Sequence, residues 1–389
     1  MVFASIVRVG WLGRNLNHST GDDPPARPVG WRGRLVELER LETGDPGQIT
    51  GFLQAHGLGR PFRSASAEEA AVGVSLLIGA VACARLAGVP VGASSPTSVP
   101  EVVAVAYRRG GSGPPATGGG GVGEWRTTWT DTEHAAAVER VREAIGRGDV
   151  YQANVVGHRT AAVTGDPLAL TAAVAALPGA SYGGTLSGDG WAVGSASPEQ
   201  LVRVVGERIT TVPVKGTSSE SGALLTSVKD QAEHVMIVDL ARNDLARLAR
   251  TGSVEVEQLY AVSEWSGLWH AASRVAARLE PDVGVLDVLR AVAPGGSVTG
   301  APKHAACELL ARIEPFGRGP SMGAFGFVWP GGMDLGLTIR TVAVSDGVAH
   351  LWAGGGITWG SSVVQEVAEA HAKAAPVQRA LAHVRPSSS

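Results

Sequence analysis

Residues 200–215, QLVRVVGERITTVPVK, alternate apolar and polar positions on either side of Gly206-Glu207, the pattern of a β-hairpin. Apolar, β-branched runs at 322–328, 336–344 and 349–353 predict further strands. Apolar spacing of three and four predicts helices over residues 228–249 and 363–382. Thr130 and Glu133 form a capping box that opens another helix, running to about Gly146. The most apolar stretch, residues 70–84 (AAVGVSLLIGAVACA), stops at Arg85, short of the roughly 18 residues a membrane span needs, and predicts a buried helix. Pro376 predicts a cut or kink in the last helix. Strands and helices come in mixed order without regular βαβ spacing, so the pattern predicts an α+β fold of antiparallel sheets packed with helices.

Residues 108–123, RRGGSGPPATGGGGVG, can neither pack nor hold a helix. They predict a flexible segment, reaching to residue 129, between an N-terminal portion (1–107) that carries no clear motif and a catalytic region at 130–389. The 389 residues, 44% hydrophobic and 18% charged, suffice for one large domain or two ordinary ones. A formal charge of -3 gives no electrostatic case for nucleic acid or an acidic membrane as partner. Two cysteines, Cys83 and Cys307, are too few for a disulfide framework or a thiolate zinc site. The opening MVFASIVRVGWLG lacks the charged start and long apolar centre of a secretion signal, so a reducing, cytoplasmic setting is expected.

Two carboxylate pairs stand out. Asp230 with Glu233, and Glu366 with Glu369, are each three residues apart on a predicted helix and so share a face. Hard oxygen donors without His or Cys nearby suit Mg²⁺, which takes one or two carboxylates and keeps several waters. A solvated acidic face has the same spacing, and Lys373, four residues after Glu369, equally suits a surface ion pair. Gly354, Gly355 and Gly356, expected between a strand and the last helix, would let backbone N–H groups converge on an anion. The run PGGSVTGAPK at 294–303 is not a Walker loop, because Ala301 follows Gly300. Glu199 and Lys215 are nearly symmetric about the hairpin turn, which makes them expected cross-strand neighbours, an acid beside a potential amine nucleophile. An ordinary ion pair would look the same, and a one-residue slip would separate them. His270 and Arg340, each alone in its segment, are weak candidates by themselves.

Taken together these segments resemble the chorismate-utilising enzymes. The matching runs are GDVYQANV (148–155), SASPEQ (195–200), PVKGT (213–217), KDQAEHVMIVDLARND (229–244), PGGSVTGAPK (294–303), MDLGLTIRT (333–341) and GGGI followed by QEVAEAHAK, ending at Lys373. The resemblance implies the fold of that family and Mg²⁺ over the ring carboxylate of chorismate. Glu233 and Glu369 would be direct ligands, with Asp230 and Glu366 nearby. It implies that Gly354, Gly355, Gly356, Arg340 and Lys373 hold substrate carboxylates, that His270 lies beside the ring, and that Thr299 lines the pocket.

PVKGT is most similar to the aminodeoxychorismate synthases, which usually carry Lys where their relatives carry Ala. That resemblance implies amination of chorismate at C4 through a covalent Lys215 intermediate, with Glu199 as the acid. Anthranilate, isochorismate or salicylate formation, or a chorismate-binding subunit without turnover, are the alternatives on the same scaffold. No GxCxGxQ-like segment surrounds either cysteine, so ammonia is expected from a separate glutamine amidotransferase. Gln200, Phe327 and Trp359 depart from the residues the family usually shows at those places.

Overall fold

The structure, a computed structural model, describes residues 35–58, 62, 72–109, 118–218, 221–226, 228–265 and 268–384. The alternating runs fold into two large antiparallel sheets, which bears out the α+β expectation. The ten-stranded sheet starts with Leu35–Thr43, Val102–Arg109 and Val72–Ile78, continues through Ala324–Trp329, Gly332–Leu337, Gln200–Val205 and Arg208–Val212, and ends at Leu268–Arg278 and Val214–Ser218. Early and late segments of the chain therefore share one sheet. The eight-stranded sheet is built around Gln152–Gly165 and Val348–Ile357, paired from Ile357↔Ala153 to Val348↔Ala162. The main core, which includes Val156, Trp191, Val193 and Trp352 with Val202, Val204, Phe325 and Leu335, lies between the sheets. The helices Asp131–Arg147 and Lys303–Ile313 cover the Ala153 and Val155 side, and Val363–Ala382 lays Ala374, Val377 and Leu381 on Leu351 and Ala353.

The Thr130–Glu133 capping box is present, with each side chain bonding the other residue's backbone N–H. Residues 70–84 are not one helix. Val72–Ile78 is a strand, and a helix follows only at Ala80–Ala87. Ser75, Leu76, Leu77 and Ile78 are all fully buried, and a strand buried on both faces reads as a continuous apolar run without period-two alternation. The expected strand at 336–344 is two strands in different sheets, Gly332–Leu337 and Thr341–Ser345. The chain crosses between the sheets at Thr338, whose hydroxyl accepts from the Gly323 N–H at 2.7 Å, and at Arg340, which takes a positive φ of 51°.

The hairpin holds through Arg208–Val212, with Gly206 at φ 58° in the turn. Pro213 has no N–H to continue the ladder, and Val214–Ser218 pairs instead with Leu268–Arg278. The flexible segment expected at 108–129 is structured at its C-terminal end, where Gly120–Val122 and Arg126–Thr127 pair with Gln152–Gly165. Residues 110–117 lie outside the described residues. The last helix is not cut at Pro376: it runs unbroken over Val363–Ala382, its distal turns held by burial of Val377 and Leu381.

Candidate functional site

Gly354, Gly355 and Gly356 do not form an anion loop between elements; they lie inside the strand Val348–Ile357, paired with Val156, Val155 and Asn154. Their function is to clear space. A Cβ on Gly355 would stand 2.9 Å from Glu366 Oε2 and 3.5 Å from Glu369 Oε1. A Cβ on Gly356 would stand 2.4 Å from Gln152 Nε2 and 3.1 Å from Lys215 Nζ. Carboxylates thus converge on one glycine, and an amide and an amine on the next.

Lys215 and Glu199 are not cross-strand partners, because the chain changes neighbour at Pro213 and Lys215 pairs with Ala271. Both nevertheless face the same space. Burial lowers the pKa of the Lys215 amine and neighbouring Lys373 lowers it further, while Glu233, Glu199 and Glu369 pull it back up. Glu199 is 6% exposed, and burial raises its pKa to about 7. Opposing that rise, Ser297 Oγ donates to Glu199 Oε1 at 2.8 Å, Lys215 and Lys373 attract the charged form, and the Val214 N–H donates to it.

The carboxylate helices meet across the turn after the glycines. Glu233, on the helix Val228–Ala246, accepts from Thr358 Oγ1 at 3.5 Å. Glu366, buried on Val363–Ala382, accepts from Ser361 Oγ at 2.6 Å. Glu369 pairs with Lys373 at 2.5 Å, and the same amine donates to Gly354 O at 3.0 Å. The side chain of Asp230 lies outside the described residues. Among the described residues no three His, Cys, Asp or Glu side chains make a ready-made cation cage. The Glu366 and Glu369 oxygens that converge over Gly355 are hard donors that fit Mg²⁺, which takes one or two carboxylates and keeps most of its own water.

Arg340 is partly buried, has no ion pair among the described residues, and has its pKa lowered by that burial. His270 lies close by. Its pKa is lowered to about 4, first by burial and then by Arg340, so the ring is neutral at neutral pH. Thr299 is buried and donates its hydroxyl proton to Gly295 O at 2.8 Å, which leaves its oxygen able to accept. Trp359 is 65% exposed, with its ring against Gly146. Gln200 donates to Tyr182 Oη at 2.7 Å, which gives this departure a structural use.

Gln152 was not singled out from the sequence, although it lies within GDVYQANV. It is fully buried, and neither atom of its amide has a hydrogen-bond partner among the described residues. A buried amide left unpaired costs stability, and a water or a ligand held over Gly356 would complete it. Ser297, Thr358 and Ser361 were missed for a different reason. Each acts through one hydrogen bond to a glutamate that is distant in sequence, and no local pattern marks that.

Residues 101–379 match the family of chorismate binding enzymes. The chain is 35% identical over 271 residues to anthranilate synthase component 1 of Pseudomonas putida, covering 67% of this chain and 55% of that protein. It is 32% identical over 270 residues to aminodeoxychorismate synthase component 1 of Bacillus subtilis, covering 67% and 57%. It therefore spans a little over half the length of these curated relatives. Among solved structures, anthranilate synthase component I from Streptococcus pneumoniae superposes with a TM-score of 0.77 at 22% identity, over 93% of this chain and 96% of that one. The menaquinone-specific isochorismate synthase MenF of Escherichia coli gives 0.70 at 18% identity, over 90% and 86%.

Proposed function

The chain belongs to the chorismate-binding enzyme family, and we propose that it aminates chorismate at C4, with Mg²⁺ bound and Lys215 as nucleophile. The observation that carries this reading is the Lys215 amine over Gly356, with Glu199 as a buried acid beside it. Glu233 and Glu369, with Glu366 and Asp230 nearby, would hold the cation, which would draw electrons toward the ring carboxylate. Arg340, Lys373 and Thr299 would orient the substrate's carboxylates, and the neutral His270 would sit against its ring. A partly buried guanidinium with no ion pair among the described residues is what an anionic group requires of its site.

The steps balance within these residues. The neutral Lys215 amine forms a bond to C2, both ring double bonds shift around the ring to C1=C6 and C4=C5, and the C4–O bond breaks. The leaving hydroxyl takes the Glu199 proton and departs as water. Ammonia then bonds to C4, both double bonds return to C1=C2 and C5=C6, and the C2–N bond breaks to restore the lysine amine. The surplus ammonium proton passes to Glu199, which is again an acid. Two allylic displacements replace one direct exchange at C4.

The ammonia would come from a separate glutamine amidotransferase, a reading supported by relatives named as component 1 of their enzymes. Incubation with chorismate, Mg²⁺ and ammonium is expected to yield 4-amino-4-deoxychorismate. Anthranilate, or isochorismate without nitrogen, as the product would overturn the assignment. Lys215→Ala is expected to lower kcat by roughly 10⁴-fold or more. An undiminished rate of C4 amination would remove the covalent step.

A further inference from the structure

Behind the site lies a buried ion pair that touches no proposed substrate group. Arg318 and Glu314 have side chains only 11% and 6% exposed. Arg318 Nε donates to Glu314 Oε2 at 2.8 Å, and Nη2 donates to Glu314 Oε1 at 2.7 Å. The rest of the fork reaches two separate pieces of chain: Nη1 donates to Val298 O and Nη2 to Asn154 O, both at 2.6 Å. Glu314 Oε1 also accepts from the Val156 N–H at 3.0 Å. The guanidinium therefore spans from the turn Gly296–Val298 to the strand Gln152–Gly165. Ser297, which donates to Glu199, is next to Val298, and Gln152 is two residues before Asn154. Lysine at position 318 would keep the charge but not the planar fork that makes these bonds together.

We infer that the Arg318–Glu314 pair is a positioning device for the acid of the site: it sets the turn that holds the Ser297 hydroxyl on the Glu199 carboxyl. This rests on the reading of Glu199 as proton donor, but it concerns a hydrogen bond that can be measured without turnover. A hydrogen bond to the charged carboxylate favours ionisation, so losing it raises the pH at which Glu199 titrates. The other groups facing this carboxyl are Lys215, Lys373 and the Val214 N–H. Asp244, paired with Lys303 at 2.9 Å, lines the same small cavity. All of them remain in the variants below.

The test is a carboxyl ¹³C NMR titration of the full chain with labelled glutamate, the Glu199 resonance being assigned by its loss in Glu199→Gln. Ser297→Ala is expected to move the Glu199 midpoint upward by about 0.4–1 pH unit, the equivalent of one hydrogen bond. Arg318→Lys is expected to move it the same way, and the double variant no further, because both act through one hydroxyl. Where Arg318→Lys does not fold, Glu314→Gln, which keeps size and one acceptor, is expected to give a smaller upward shift. An unchanged midpoint in folded Arg318→Lys or Glu314→Gln, with only the melting temperature lowered, would overturn the inference. Shifted midpoints in a protein that does not aminate chorismate would instead reject the function and leave the positioning role standing.

Discussion

One pair of strands, Gln152–Gly165 with Val348–Ile357, carries two buried polar regions on the same inner face, and they are built in opposite ways. At the site end, Gln152 has no partner for either amide atom among the described residues, and Gly356 leaves room beside it. At the other end, His158 and His350 are also buried, but their rings stack and join Nε2 to Nδ1 at 3.2 Å. Trp352 and Phe316 pack on His158, and Thr128 reaches its Nδ1 at 3.3 Å. Burial and residue type do not separate the regions. Hydrogen-bond completion does: the histidine pair is joined within the fold, whereas the Gln152 amide finds no partner among the described residues.

After Lys215→Ala, the largest effect expected at the site end is from Glu199→Gln, which keeps shape and removes the acid. It should lower kcat by about 10²–10⁴-fold. Because the acid must be protonated to act and its pKa is about 7, wild-type kcat should fall as pH rises through that value. A pH–rate profile flat from 6 to 9 would deny Glu199 the role. His158→Leu should cost about 1–3 kcal/mol by stranding His350, with kcat/KM nearly unchanged. Urea unfolding together with a steady-state assay separates the two quantities.

Gln152→Leu should do the reverse. The fold should gain up to about 1 kcal/mol, because an unpaired amide is no longer buried, while kcat/KM drops by about 10²-fold. A loss of stability with activity retained would erase the distinction between the two ends. A further effect, at the histidine end, is on acid tolerance. Burial is the main cause of the lowered pKa values of His134, His158 and His350, at about 4, 3 and 4. Their folded values lie below the unfolded one, so the neutral rings contribute stability that is present above about 6.5 and lost as pH falls through the folded values. The urea midpoint should fall from pH 6.5 toward 4, and less steeply in His158→Leu.

Much of the site was legible in the sequence because its charged residues stand in recognisable runs. Glu233, Glu366 and Glu369 come from helices read correctly by period, and Lys215 and Glu199 flank a hairpin whose turn was evident. The misread elements share a cause. The Val72–Ile78 strand is buried on both faces, and the strand expected at 336–344 crosses between sheets, so neither displays the alternation of a strand with one wet face.

The sequence by itself determined most element types, the α+β class, the family and the residues able to do chemistry, since these depend on periodicity and on side-chain type at short spacing; the doubly buried strand Val72–Ile78 escaped it. Only the tertiary structure decided which of those residues share a space. Lys215 meets Glu199 not across a ladder but because the chain changes partner at Pro213, and the glycines serve by the Cβ atoms they lack beside Gln152, Glu366 and Glu369. Such contacts join segments more than a hundred residues apart, and close approach between distant segments follows from packing, to which no local pattern is sensitive.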